Sequence, residues 1–350
     1  MPDATSPVAA RWMQRWLILI GLMVYAMILI GGATRLTDSG LSITEWAPIK
    51  GSLPPLSEAA WLSEFEKYKT TAEFQQQNYN MTMAEFQFIY WWEWGHRLFG
   101  RLIGLVAIGG FLWFAAMRWM SKKWAVRLGI LIALGGLQGF IGWWMVASGI
   151  GETDRLDVAP YRLMTHFGLA LLIIAITTWF WLDLSERTRV PMTPPLRLFA
   201  LVLLGLTSVQ MLTGALVAGL DAGRSYTDWP LMAGEMVPAH YFDESLGARS
   251  LFEGRAATQF NHRLGAYLLW GLSLYAAFQA RGSAVFRGFA IIAVLVTAQA
   301  VWGIITLVNA APLPVALVHQ GLGVIVLLSA VWLVWTSCAP IAPNSQMASA

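Results

Sequence analysis

The sequence is poor in cysteine and in charge, and each shortage excludes a class of protein. Its 350 residues include one cysteine, Cys338, so it can form neither an internal disulfide nor a zinc or iron–sulfur site held by a cysteine cluster. Only 12% of the residues are charged and 57% are hydrophobic, whereas a soluble domain has roughly 25% charged residues. The sequence therefore predicts a polytopic membrane protein.

Long apolar segments dominate what is present. A helix needs about 20 apolar residues to cross a hydrocarbon core of roughly 30 Å. Eight segments meet this length: about 17–34, 94–117, 126–147, 160–183, 197–218, 260–280, 286–308 and 315–336.

The distribution of charge predicts the orientation of these segments. The pI near 9.1 could indicate a nucleic-acid partner, but the basic residues are dispersed at the ends of the predicted spans, and we expect no nucleic acid to bind. Short loops rich in Lys and Arg normally stay in the cytoplasm. The loops after the second, fourth and sixth spans are of this kind, so both termini are expected on the cytoplasmic side. The longer loops, about 35–92 and 219–259, are expected outside.

The chain contains an internal repeat. The segment Asp38–Trp46 (DSGLSITEW) recurs as Asp221–Trp229 (DAGRSYTDW). Three further pairs of short segments follow in the same order: His96-Arg97-Leu98 with His262-Arg263-Leu264, Gln138-x-x-x-Gly142 with Gln299-x-x-x-Gly303, and His166-x-Gly168-Leu169 with His319-x-Gly321-Leu322. The predicted fold is therefore an all-α membrane protein of two tandem four-helix bundles, residues 1–190 and 191–350, related by a pseudo-two-fold axis along the membrane normal.

Four of the five histidines occupy equivalent positions in the two copies: His96 and His166 in the first, His262 and His319 in the second. A single histidine in a membrane helix is often a hydrogen-bonded packing residue, but ionisable residues at this depth are candidates for function. All four begin spans that run from outside to inside, so we expect them at similar depth near the outer surface. His240 has no counterpart and is expected to be solvated.

Two histidines per bundle favour a haem over other metal groups. Facing helices that each present one imidazole can bind a haem iron from both sides. Zinc would require more ligands, and copper sites commonly include sulfur. Arg97 and Arg263 each follow a histidine and could hold the propionate carboxylates of a porphyrin, or could simply extend to the membrane interface.

One difference between the copies predicts different roles for them. Glu93 lies three residues before His96, on the same helix face, and Gln259 takes its place before His262. A carboxylate beside a porphyrin can accept a proton or stabilise a developing positive charge, and an amide can do neither. The first copy is therefore expected to be reactive and the second to carry electrons, unless Glu93 only pairs with a neighbouring arginine.

Four short motifs make the chain similar to the haem A synthase family. They are E-x-x-H-R at Glu93–Arg97, T-H-F-G at Thr165–Gly168, N-H-R at Asn261–Arg263 and H-Q-G at His319–Gly321. The resemblance covers almost the whole chain. It implies an oxidoreductase that converts the C8 methyl group of haem O to the formyl group of haem A, which cytochrome c oxidase requires.

The resemblance also implies a role for each site residue. His262 and His319 would ligate a resident haem b, His96 and His166 would flank the substrate haem O, and Glu93 would be the catalytic carboxylate. The first outer loop lacks the cysteine pair of one branch of the family, so the chain resembles the proteobacterial and mitochondrial branch. A bacterial inner membrane and a handover from haem O synthase, the protohaem farnesyltransferase, are expected.

Two other functions are compatible with parts of the sequence. A di-haem b-type cytochrome that transfers electrons from quinol would need the four histidines, but it gives no reason for Glu93 to differ from Gln259. A transporter with parallel repeats would need no haem.

Overall fold

The protein consists of helices joined by turns and loops in the part of the chain that its computed structural model describes, residues 6–47, 49–151, 153–185, 187 and 189–338. The helices are α1 (Pro7–Leu36), α2 (Glu58–Tyr68), α3 (Ala72–Gln76), α4 (Met83–Ala116), α5 (Lys122–Val146), α6 (Pro160–Leu184), α7 (Pro194–Gly219), α8 (Ser250–Glu253), α9 (Arg255–Gln279), α10 (Phe286–Val308) and α11 (Leu313–Ser337). The chain termini, which the sequence places in the cytoplasm, lie outside the described residues.

In the part of the chain that the structure describes, seven helices are long and apolar enough to cross a membrane: α1, α4, α5, α6, α7, α10 and α11. Large apolar side chains on their outer faces, such as Leu105 and Val294, are two-thirds exposed, as lipid-facing residues of a bundle are. The remaining predicted span, about 260–280, lies in α9, which has the same length as α5 but a polar first half. The protein is a multi-pass membrane protein, and the count of eight spans stays a prediction.

The helices begin where their sequences provide a start signal. Proline stands in the first turn of α1, α6, α7 and α11, where its missing N–H costs nothing. Helix α4 begins with a capping box formed by Thr82 and Glu85. It therefore starts well before the predicted residue 94, and the prediction that His96 lies in the first turns of its helix was wrong.

The four long helices of each copy pack in a ring. In the first copy α1 contacts α4 and α6, and α5 contacts the same two helices. In the second copy α7 contacts α9 and α11, and α10 contacts the same two. The copies meet where α6 packs against α7 and α11, and α1 against α11. This shared pattern is what two tandem bundles require, while the two-fold axis and the unit boundaries stay predictions.

The outer segments of both copies also begin alike. Asp38 follows α1 and Asp221 follows α7, and both have a φ of 50°, a left-handed conformation that aspartate tolerates better than most residues. In the first copy the outer segment continues into α2 and α3. These helices bury an outer aromatic cluster, defined by Phe65, Tyr68, Phe86 and Tyr90, against the start of α4.

Candidate functional site

The structure places the four repeated histidines in two pairs. His96 on α4 and His166 on α6 are close enough for their charges to interact, as are His262 on α9 and His319 on α11. In each ring the two histidine-bearing helices lie across from each other rather than side by side. The predicted pairing within each copy is therefore present in the described structure.

Each imidazole lies against a glycine of a neighbouring helix. A Cβ atom placed on Gly31 of α1 would lie 3.3 Å from the His96 ring, and one on Gly142 of α5 would lie 2.9 Å from the His166 ring. The equivalent distances in the second copy are 3.1 Å from Gly214 of α7 to His262 and 2.9 Å from Gly303 of α10 to His319. A side chain at Gly142 or Gly303 would force the facing ring to shift, and one at Gly31 or Gly214 would crowd it.

Three glutamines hold the helix turns that carry the histidines. Gln138 Nε2 donates to the backbone carbonyl of His166 at 3.0 Å, and Gln299 Nε2 to that of His319 at 2.9 Å. Gln210 Nε2 donates to the carbonyl of His262 at 2.8 Å. Hydrogen bonds between helices, and no chemical role, were the interpretation of Gln138 and Gln299 from the sequence, and these bonds are present; Gln210 was missed. The signal was present in the sequence as Gln-x-x-x-Gly, which occurs at each of these three places.

Glu93 is buried and fully engaged by neighbouring donors. One carboxylate oxygen accepts from the Ser42 hydroxyl at 2.7 Å and the Ile43 N–H at 2.8 Å, and the other accepts from Arg97 at 2.5 Å. The predicted pairing of Glu93 with a neighbouring arginine is thus present. The chemical role of Glu93 stays a prediction, and the carboxylate lies one helix turn from His96.

The two predicted propionate ligands donate to the outer segments in this structure. Arg97 donates to the carbonyls of Ile43 at 2.9 Å and Glu45 at 3.1 Å. Arg263 donates to the carbonyls of Tyr226, Asp228 and Leu231 at 3.0–3.1 Å. Both arginines therefore fasten the repeated outer segment over the histidine pair of their own copy. Their contact with propionates stays a prediction.

His240 is exposed on the second outer segment, as expected of a histidine without a repeat counterpart. It lies apart from the two histidine pairs and contributes nothing to the candidate site.

Residues 14–331 match the family model described as COX15-CtaA, cytochrome oxidase assembly protein. The chain is 66% identical to a protein of Hyphomonas neptunium over 339 residues, which is 97% of each chain. It is 49% identical to a protein of Dinoroseobacter shibae, over 91% of this chain and 85% of the relative, and 48% identical to one of Paracoccus denitrificans, over 91% and 86%. All three are named heme A synthase.

The chain belongs to the haem A synthase family. The matched residues include all eleven helices except the ends of the first and the last, so family membership extends to both histidine pairs.

The donor set of this family member fits a porphyrin iron. Within the described residues no three His, Cys, Asp or Glu side chains gather as a metal-binding group, so a tetrahedral or carboxylate-rich metal site has no candidate there. Each copy instead offers two imidazoles on opposite helices, and each imidazole lies on a glycine that leaves room at the helix surface. His319 also has a buried Nδ1 with no hydrogen-bond partner in the described part of the chain. These features agree with two axial ligands per haem.

Proposed function

We propose that the protein oxidises the C8 methyl group of haem O to a formyl group and so produces haem A for cytochrome c oxidase. The observation that carries this proposal is the pairing of four imidazoles across two helix rings, one pair in each copy. Membership of the haem A synthase family supports the choice of substrate. When water supplies the oxygen atom, this conversion releases four electrons and four protons, so the reaction needs an external electron acceptor.

The two pairs are proposed to hold different haems. His96 and His166 in residues 1–190 flank the substrate haem O, and His262 and His319 in residues 191–350 ligate a resident haem b. Glu93 supports this assignment because a carboxylate stands beside the first pair and Gln259 beside the second. A bound haem b would supply one-electron redox chemistry.

The protein's own residues supply positioning and proton handling near the first pair. Glu93 is fixed by Ser42, Ile43 and Arg97, so its carboxylate has one orientation relative to the His96 turn. A fixed carboxylate at this place can receive a proton from the reacting carbon or stabilise positive charge that develops there. Arg97 and Arg263 hold the outer segments closed over the sites and are proposed to reach the propionates of bound haem.

The same comparisons support a cellular setting. The relatives described above are bacterial, which supports a bacterial inner membrane, and the short loops rich in Lys and Arg support both termini in the cytoplasm. We propose that the membrane enzyme haem O synthase, the protohaem farnesyltransferase, delivers the substrate, because a porphyrin with a farnesyl tail is itself confined to the bilayer.

Pigment analysis of two histidine variants tests the proposal. Membranes that contain the protein should convert added haem O to haem A, and the purified protein should carry haem b. His262→Ala should lose the low-spin haem b signal, whereas His96→Ala should keep that signal and lose conversion. Haem b in the protein without any conversion of haem O would instead support an electron-transferring cytochrome. Purified protein without a Soret band would overturn both readings.

A further inference from the structure

The four histidine rings are not oriented alike. A Cβ atom placed on Gly142, Gly214 or Gly303 would have Cε1 of the facing ring as its nearest neighbour, at 2.9–3.1 Å, followed by Nδ1. A Cβ atom on Gly31 would meet Nε2 of His96 at 3.3 Å and then Cδ2. The His96 ring therefore presents its Nε2–Cδ2 edge to α1, whereas the other three rings present their Cε1–Nδ1 edge to the facing helix.

The sequence of α1 explains why His96 differs. Gly142, Gly214 and Gly303 each follow a glutamine by four residues, and that glutamine donates to the carbonyl of the facing histidine. In α1 the corresponding residue is Met27, four before Gly31. Its methyl group packs towards Gly100, one turn beyond His96, and a thioether has no proton to donate. The turn that carries His96 therefore lacks the bond that fixes the other three.

A second contact exists only in the C-terminal copy. The Thr213 hydroxyl donates to the Gln210 carbonyl at 2.9 Å and lies 3.0 Å from Nδ1 of His262. Gln210 Nε2 lies 3.1 Å from the same Nδ1. The Nδ1 side of the His262 ring therefore has two polar neighbours, and such contacts fix the orientation of a ligand ring.

The repeat places Ile30 of α1 at the position of Thr213, just as Gly31 matches Gly214. An isoleucine side chain can neither donate to nor accept from an imidazole. Within the described ranges no hydrogen bond reaches the His96 ring, so neither its tautomer nor its rotation is fixed in that way.

We propose that Met27 and Ile30 make His96 an exchangeable ligand, whereas Gln210 and Thr213 make His262 a permanent one. This inference rests on the proposed function, in which the first copy takes a substrate haem and the second a resident haem. A substrate must enter and leave in every turnover, so its ligand has to rotate away. A resident cofactor is retained better by a ligand whose orientation is already fixed, and losing such an outer partner typically costs 10–100-fold in affinity.

Haem transfer from the purified protein to excess apomyoglobin tests the proposal. With haem O bound in the first copy and haem b in the second, the wild type should lose haem in a fast phase and a slow phase. Thr213→Val should accelerate the slow phase about 10–100-fold and shift the low-spin electron paramagnetic resonance signal. Thr213→Ser retains the hydroxyl and should restore both the rate and the signal.

The converse change should act on the other phase. Met27→Gln combined with Ile30→Thr should slow the fast phase by a similar factor, while the matched control Met27→Leu with Ile30→Val should leave it as in the wild type. The inference is wrong if Thr213→Val leaves the slow phase unchanged and Met27→Gln with Ile30→Thr leaves the fast phase unchanged. The two haem sites would still be supported if His96→Ala and His262→Ala each abolish one of the two phases. If the two alanine variants change neither phase, the proposed function itself is wrong.

Discussion

Glu93 and Gln259 occupy equivalent places, but they bond to the outer segments in opposite directions. Glu93 accepts from the N–H of Ile43, whereas Gln259 donates to the carbonyl of Tyr226, the repeat counterpart of Ile43, at 2.9 Å. Glu93 thus bonds to the N–H of this residue of the outer segment, and Gln259 bonds to the carbonyl of its counterpart. The difference between the copies is built into the backbone contacts as well as the side chains.

Glu93→Gln should keep the resident haem b and lose the conversion of haem O by about 100-fold or more, because general acid–base groups typically contribute 10²–10⁴-fold. The amide retains the size of the side chain, although its NH₂ group cannot accept from Ser42, Ile43 or Arg97. Haem A and partly oxidised products extracted from membranes measure the effect. Glu85→Gln makes the same chemical change at an exposed position of α4 and should convert haem O normally. Near-normal conversion by Glu93→Gln would show that the carboxylate only fastens the outer segment.

Sequence alone identified the histidine pairs but not the residues that orient them. The repeat made the four histidines visible because all four recur in register. Gln210 was missed because the repeat does not include it. Helix α1 has Gly31 where α7 has Gly214, but it has Met27 where α7 has Gln210. The contacts of Arg97 and Arg263 could not be predicted, since they depend on where the outer segments place their carbonyls after folding.

At the scale of elements, the outer helices show where sequence patterns were sufficient and where they were not. The long apolar runs predicted the spans because hydrocarbon requires continuous helix. Residues 35–92 were predicted only as an outer loop, yet they contain α2, α3 and the first turns of α4. The Thr82–Glu85 capping box was a readable start signal for α4. The outer aromatic cluster was not readable, because its rings come together only when α2 folds back on α4, with Phe65 stacked 4.8 Å from Phe86.

Glu73 of α3 makes the stability of the outer helices depend on pH. The residue is 2% exposed, and burial raises its pKa from 4.5 to about 8. Below pH 4.5 the carboxyl is protonated in the folded and unfolded segment alike. As the pH rises from 4.5 to 8, the unfolded segment releases the proton and the folded one retains it, so the folded segment loses stability across this window.

Hydrogen exchange of residues 57–90 in detergent should therefore be faster at pH 8 than at pH 5, once the intrinsic pH dependence of exchange is removed. Glu73→Gln, which is neutral at both values, should abolish the difference. Glu66→Gln, at an exposed position of α2, is the matched control and should retain it. Equal protection at both pH values in the wild type would contradict the assignment of a raised pKa to Glu73.

At the scale of the whole molecule, polar contacts join the two helix rings at both ends of the long helices. On the inner side Asp183 of α6 accepts from Arg127 at 3.0 Å, Arg189 at 2.8 Å and the indole of Trp335 at 2.8 Å. Between the two surfaces, apolar residues of α11, including Val324 and Leu327, belong to the same buried core as α1 and α6. The rings are therefore held together by apolar packing along their length, by the Trp335 hydrogen bond at one end and by an ion pair at the other.

On the outer side, Arg35 of α1 is the centre of the contact. Its guanidinium pairs with Asp38 at 2.9 Å, with Asp157 at 3.3 Å and with Asp221 of the second copy at 2.7 Å. The Arg35 side chain is only 11% exposed, whereas the three carboxylates are 36–40% exposed. Removal of the guanidinium would leave three carboxylates facing one another at the junction of the copies.

Arg35→Gln should lower the free energy of unfolding by about 2–3 kcal/mol. This lies between the roughly 3–5 kcal/mol for breaking a buried ion pair and the value of about 1 kcal/mol or less for an exposed one, because the carboxylates are partly solvated. The free energy of unfolding of Arg35→Lys should lie between those of Arg35→Gln and the wild type. An ammonium group keeps the positive charge but lacks the two guanidinium nitrogens that contact Asp38 and Asp221 together. Thermal unfolding in detergent measures the order, with Arg11→Gln at an exposed position of the same helix as the control. The prediction is wrong if Arg35→Gln unfolds at the same temperature as the wild type and only Asp183→Asn unfolds at a lower one. The two copies would then be held together by apolar packing and by the contacts of Asp183, and the Arg35 ion pairs would act on the candidate site and not on the junction of the copies.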